Sequence, residues 1–142
     1  MKLHKKEIAR RQIDAAIDLF LEGKNYLAAV TLAGAGEEII GNLLKRAQRK
    51  NMVGHLLDLD KRISGGRDFT VVNQEINGFR NALKHANDPT EDLMEVVQEQ
   101  ELAIAMLSRA LTNYCALEGG LSPKMEQFYD WLQQNRMDLL NP

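Results

Sequence analysis

This sequence predicts an all-α fold, an antiparallel up-and-down helical bundle. Apolar residues recur at intervals of three and four along most of the chain, the spacing of one helix face, while the apolar–polar alternation of strands is nearly absent. The 142 residues read as a single domain, long enough to bury one core, with no internal repeat and no low-complexity linker.

Ile13, Ala16, Ile17, Phe20 and Leu21 share a face and predict a first helix over roughly 5–22, stopping at Gly23. Tyr26, Ala29, Val30, Ala33, Ile40, Leu44 and Ala47, with Glu37 among them, predict a long second helix. Its last turns carry Lys45, Arg46, Arg49 and Lys50, and cations there suit the helix dipole. Gly34, Gly36 and Gly41 each cost this helix about 1 kcal/mol relative to alanine, which predicts close approach of a neighbouring helix. Residues 51–68 read as a short helix, His55 to Asp60, and a loop broken at Ser64-Gly65-Gly66. The third main helix is expected over roughly 69–86, closed by Asn87-Asp88-Pro89. Asp88 is a good N-cap for the next helix, with Pro89 at its first position and Glu91 and Asp92 in its first turn. That helix carries Leu93, Val97, Ile104, Leu107, Leu111 and Tyr114 on one stripe and ends at Gly119-Gly120. Ser122-Pro123 opens a last helix, over roughly 122–136, appended to a core of roughly 5–118; Phe128 and Trp131 clamp it to the bundle or to a partner.

Apolar residues are 44% and charged residues 27% of the chain, ordinary values for a globular protein. A net charge of −2 argues against a broad polyanion-binding surface, so any RNA must be held by a local patch. Cys115 is the single cysteine; it has no internal disulfide partner and is expected to be a core thiol beside Tyr114. No secretory segment is expected, and Asp14 and Asp18 interrupt the first apolar stretch. No run approaches the ~18 apolar residues of a membrane span. The expectation is a reduced, cytoplasmic protein with no membrane partner.

The third helix holds the most informative residues, Arg80-Asn81-Ala82-Leu83-Lys84-His85. At about 100° per residue, Val72, Ile76, Phe79, Leu83 and Ala86 fall within about 80° of each other and form the core stripe. Asn73, Asn77, Asn81 and His85 follow at four-residue spacing as a polar stripe on the far side, suited to a wet, hydrogen-bonded interface. Arg80 lies at the edge of the apolar stripe, and His85 is about 140° from it on a regular helix. The pair therefore needs a frayed helix end, or a second subunit, to meet. Cleavage of RNA through its 2′-hydroxyl needs a proton acceptor and a stabiliser of phosphorane charge. Imidazole exchanges protons near neutrality, and a guanidinium presents a permanently charged planar fork to phosphate oxygens. Asn81 is placed to orient either group.

Those six residues are similar to the arginine-x4-histidine motif of HEPN domains, small all-helical proteins many of which are ribonucleases that need no metal. Leu19-Phe20-Leu21-Glu22-Gly23-Lys24-Asn25-Tyr26 and Ala33-Gly34-Ala35-Gly36-Glu37-Glu38 resemble the first loop and second helix of that family. Ser108-Arg109-Ala110-Leu111-Thr112-Asn113-Tyr114 resembles its closing helix. The resemblance implies a homodimer whose motif helices face each other across a cleft. It implies Arg80 and His85 as a catalytic pair, supported by Asn81, Asn77, Lys84, Glu37 and Glu38, with no metal and no cofactor. The activity implied is that of a metal-independent endoribonuclease of toxin or phage-defence type, with RNA or a nucleotide as ligand and an antitoxin-type protein as a candidate partner. Non-catalytic nucleotide- or RNA-binding modules and dimeric interaction modules share the fold and stand as alternatives. Some toxin members carry a tyrosine two residues after the histidine, which their nucleotidyltransferase partner modifies; Asn87 stands there in this chain and lacks the hydroxyl.

Glu37 lies on the apolar stripe of the second helix, where an acid needs a partner. Its two readings are a contact to Arg80 or the cleft, and a structural role as a salt bridge or a hydrogen bond capping a loop. His55, Asp58 and Asp60 are three potential ligands on a surface helix that does not converge them. Gly34-x-Gly36 follows no strand, so it does not read as a phosphate loop.

Overall fold

The computed structural model describes residues 1–47 and 69–140. Six helices are seen there: α1 (Lys5–Leu21), α2 (Tyr26–Arg46), α3 (Phe69–Ala82), α4 (Glu99–Glu118), α5 (Pro123–Asn135) and α6 (Met137–Leu140). A 3₁₀ turn at Pro89–Glu91 lies between α3 and α4, and the described residues contain no strand. The short helix and loop expected over 51–68, with His55, Asp58 and Asp60, lie outside the described residues, as do Arg49 and Lys50.

Polar side chains start the helices by accepting orphan N–H groups. His4 accepts from Lys6 N at 3.1 Å, Asn25 from Ala28 N at 3.3 Å and Ser122 from Met125 N at 3.2 Å. Gly119 ends α4 at φ 81°, a left-handed conformation that glycine adopts without Cβ strain. α1 and α2 run antiparallel: Phe20 meets Tyr26 beside their loop (ring centroids 5.1 Å apart), while Ala9 and Ile13 lie against Gly36 farther along. α2 and α4 run parallel, since Tyr26 bonds Gln100 at one end while Glu37 bonds Arg109 and Asn113 at the other.

α4 is the centre of the molecule, with every residue from Ala103 to Leu111 buried. α5 docks on α1 through Ser122 Oγ donating to Asp14 and Lys124 Nζ to Asp18, both at 2.7 Å. Beneath those bonds Phe20 touches both Phe128 and Trp131 edge-on, at 5.4 and 4.8 Å. The last helix is thus held to the bundle of its own chain.

The structure corrects the sequence reading at four places. Asp88 caps only the 3₁₀ turn, accepting from Thr90 N at 3.0 Å, and α4 begins ten residues later. Gln100 is already level with the first residue of α2, so a helix begun at Pro89 would project about 15 Å past that end, with no described helix alongside to cover it. Leu93 and Val97 are accordingly exposed rather than on the core stripe. α3 ends at Ala82, not near 86, because Lys84 N turns back onto Asn81 O at 3.0 Å and closes the last turn. Cys115 is exposed; helices cover α4 on all sides only as far as Leu111, and Cys115 falls on the open side beyond. Finally, α2 is long and apolar enough to cross a membrane by length and composition, the one such helix among the described residues. Its apolar side chains Ala29, Val30, Ala33, Ile40 and Leu44 pack inside the bundle.

Candidate functional site

Three helices bring their polar side chains together beneath the C-terminal end of α3. Glu37 comes from α2, Asn77 and Arg80 from α3, and Arg109 and Asn113 from α4. Gly34 makes the approach possible, since a Cβ there would sit 2.3 Å from Arg80 Cδ and 2.9 Å from its Cγ. The aliphatic stem of Arg80 therefore lies against bare backbone of α2. Gly36 serves the other side of the same helix, where a Cβ would meet Ile13 Cγ1 at 2.6 Å. Gly41 is different: Asn113 Nδ2 would be 3.8 Å from its Cβ, an ordinary contact. The helix-propensity cost of Gly34 and Gly36 is thus matched by close packing of α3 and α1.

Glu37 is the centre of the cluster. Its Oε1 accepts from Arg109 Nη2 at 3.0 Å and Asn113 Nδ2 at 3.3 Å, and its Oε2 accepts from Arg80 Nη1 at 3.4 Å. Arg109 Nη1 also reaches Asn77 Oδ1 at 3.4 Å. Glu37, Arg80 and Arg109 are buried, with exposures of 7%, 9% and 6%. The Nε atoms of both arginines and the hydroxyl of Ser108 are buried with no hydrogen-bond partner among the described residues. Buried charges are tolerated only when paired, and here one carboxylate serves two guanidinium groups.

The remaining predicted site residues lie outside this cluster. Glu38 is exposed, and of the two acids it is Glu37 that bonds to the motif. Asn81, Lys84 and His85 are exposed, and His85 follows the closed end of α3 rather than occupying its last turn. Asn77 was expected on a face turned from the monomer's own core; its bond to Arg109 instead draws it inward. Arg80 is buried rather than set at the stripe's edge because Gly34 gives it room.

Arg109 and Asn113 were absent from the sequence-derived site. Their signal is present, however: residues 102–111 are apolar or small around the whole helix apart from Arg109 and Ser108. A helix apolar on every side is buried, and an arginine within it requires an acid, which Glu37 supplies. Among the described residues no group of three or more His, Cys, Asp or Glu is placed to hold a metal ion. Comparison with family models, with curated proteins and with solved structures finds no match to this chain.

Proposed function

We propose that this chain is a HEPN-like dimer that cleaves RNA by attack of the 2′-hydroxyl on the adjacent phosphodiester. The observation that carries the reading is the state of Arg80. It is anchored to Glu37 by one long hydrogen bond, while its other donors have no acceptor among the described residues. A guanidinium held in place yet largely unsatisfied suits a phosphate oxygen. His85 follows five positions later, exposed and clear of the core. The antiparallel α1–α2 pair and parallel α2–α4 pair also agree with an up-down-up-down path, as the HEPN resemblance implies.

In this reaction His85 accepts the 2′-hydroxyl proton, the 2′-oxygen bonds to phosphorus, and the 5′-oxygen leaves with a proton. A second His85 across the two-fold axis supplies that proton, and Arg80 stabilises the charge gathered on the phosphoryl oxygens. The products are a 2′,3′-cyclic phosphate and a 5′-hydroxyl end. The test is purified protein with mixed RNA in EDTA, with the ends analysed. His85→Ala is expected to slow cleavage about 10²–10⁴-fold while leaving the melting temperature unchanged, because the residue is exposed. Cleavage that survives both His85→Ala and Arg80→Ala would defeat the assignment.

One observation favours a non-catalytic interaction module with the same fold: the Glu37 cluster ties three helices together and would rigidify them without any substrate. RNA bound but left intact by the wild type at high protein concentration would select a non-catalytic binding module, and RNA neither bound nor cut would select the interaction module.

A further inference from the structure

Glu37 does not divide itself evenly between its two arginines. Arg109 takes the 3.0 Å bond to Oε1, where Asn113 also donates, and has a second acceptor in Asn77. Among the described residues Arg80 keeps a single bond, of 3.4 Å to Oε2, and its Nε has no acceptor. The cluster therefore joins two positive charges to one negative charge among the described residues, with all three residues buried. Among the described residues no second carboxylate bonds either guanidinium. An excess positive charge at low dielectric attracts an anion more strongly than the same charge in water.

We infer that Arg80 forms one wall of a phosphate-group site with a net charge of +1, and that Arg109 is the positioning residue that keeps Arg80 available. This rests on the reading of Arg80 as the phosphate-binding residue and adds what frees it. Without Arg109, Glu37 would be free to turn both oxygens to Arg80 in the bidentate arrangement that guanidinium–carboxylate pairs favour. The charge offered to an incoming anion would then be cancelled. With Arg109 in place, Glu37 orients Arg80 through one bond and leaves most of its fork unclaimed. The stem of Arg80 against Gly34 fixes where that fork ends.

The location makes the excess charge necessary. Arg80 lies in the last turn of α3, where the helix dipole is negative and disfavours anions. A phosphate can settle there only if Arg80's own charge is not neutralised. The ligand is a tetrahedral phosphate group, carried either by RNA or as the free ion.

The test uses the full chain with ¹⁵N-labelled arginine. Assignment of the Arg80 and Arg109 Nε–Hε signals comes from the spectra of Arg80→Lys and Arg109→Lys. Inorganic phosphate, titrated against chloride at matched ionic strength, is expected to move the Arg80 signal saturably with a millimolar midpoint, and chloride is not. A short single-stranded RNA is the second arm: movement by RNA alone identifies the source as polynucleotide, and movement by phosphate alone identifies it as the free ion. Arg109→Gln should weaken the binding by about tenfold, the size of coupling within one ion-pair network, although Arg109 does not touch the ligand. Arg109→Lys, which preserves the charge on Glu37, should recover most of the loss.

An Arg80 signal that neither ligand moves, or that chloride moves equally, overturns the site. A folded Arg109→Gln that binds as tightly as wild type overturns the role of Arg109. If that variant does not fold, the wild-type titration still decides whether the site exists. Binding and turnover also separate: phosphate bound at Arg80 with RNA left uncut defeats the nuclease and keeps the site. RNA cut with Arg80 unmoved does the reverse.

Discussion

At the residue scale, the molecule turns on one absent methyl group. Gly34→Ala should gain about 1 kcal/mol of helix propensity, yet its Cβ would overlap Arg80 Cδ and Cγ and push the guanidinium off Glu37. The helix gain offsets only part of the lost buried ion pair, so the expected outcome is a lowered melting temperature with RNA cleavage or phosphate binding largely lost, measured on the same preparation. A variant that keeps full activity would show that Arg80's placement is not needed. Glu37→Gln acts in the opposite sense. It leaves Arg80 and Arg109 buried without a counter-charge, and it should destabilise by about 3–5 kcal/mol in urea unfolding. Part of this cluster was legible in the sequence. Glu37 stood out as an acid on an apolar stripe, and Arg80 as part of a spaced motif. Arg109 and Asn113 were hidden because a stripe drawn through Ile104, Leu107 and Leu111 puts residue 109 on the opposite, outer side. α4 has no outer side over that span.

At the scale of elements, periodicity placed both ends of α1, the start of α2 and the glycine stop of α4 within a residue or two, since core packing and caps agree there. It failed between α3 and α4, where the helix-starting signals at Asp88 and Pro89 are strong but no neighbour among the described residues covers the apolar stripe. α4 instead starts from Gln98 in a left-handed conformation, φ 56° and ψ 44°, without a side-chain cap. Glycine takes that conformation without the strain that other residues carry, and it is an acceptable N-cap. Gln98→Gly should therefore stabilise the fold by about 1 kcal/mol, while Gly119→Ala, at φ 81°, should destabilise it by about 1–2 kcal/mol. Chemical denaturation of both variants checks the pair, and equal signs would contradict the backbone assignment. The start of α1 responds to acid. The guanidinium of Arg10, with help from Arg11, holds the exposed Glu7 carboxyl down to about 2 from its ordinary 4.5. A depressed carboxylate stabilises the folded state fully above about pH 4.5 and loses that contribution as the pH falls through about 2. The difference in melting temperature between wild type and Glu7→Gln should be constant above the first pH and shrink towards the second.

At the scale of the whole molecule, the proposed dimer is checked by sedimentation, which should give twice the chain mass at tens of micromolar, roughly the range of weak self-association. The parallel course of α2 and α4 has a further consequence, and it concerns time. α1 and α2 are neighbours across the four-residue loop 22–25 and can pair as soon as both exist. The bonds from Glu37 to Arg109 and Asn113 span 72 and 76 positions, so they wait for the closure of a large loop. In the α1–α2 hairpin alone, Glu37 keeps its water. It is dehydrated only when α4 docks and brings its cation along. The ionic cluster should accordingly form after the rate-limiting step of folding. Arg109→Lys is then expected to raise the unfolding limb of the chevron and leave the refolding limb in place. A slowed refolding limb would mean that α4 arrives early, and that the fold is built around its charges from the start.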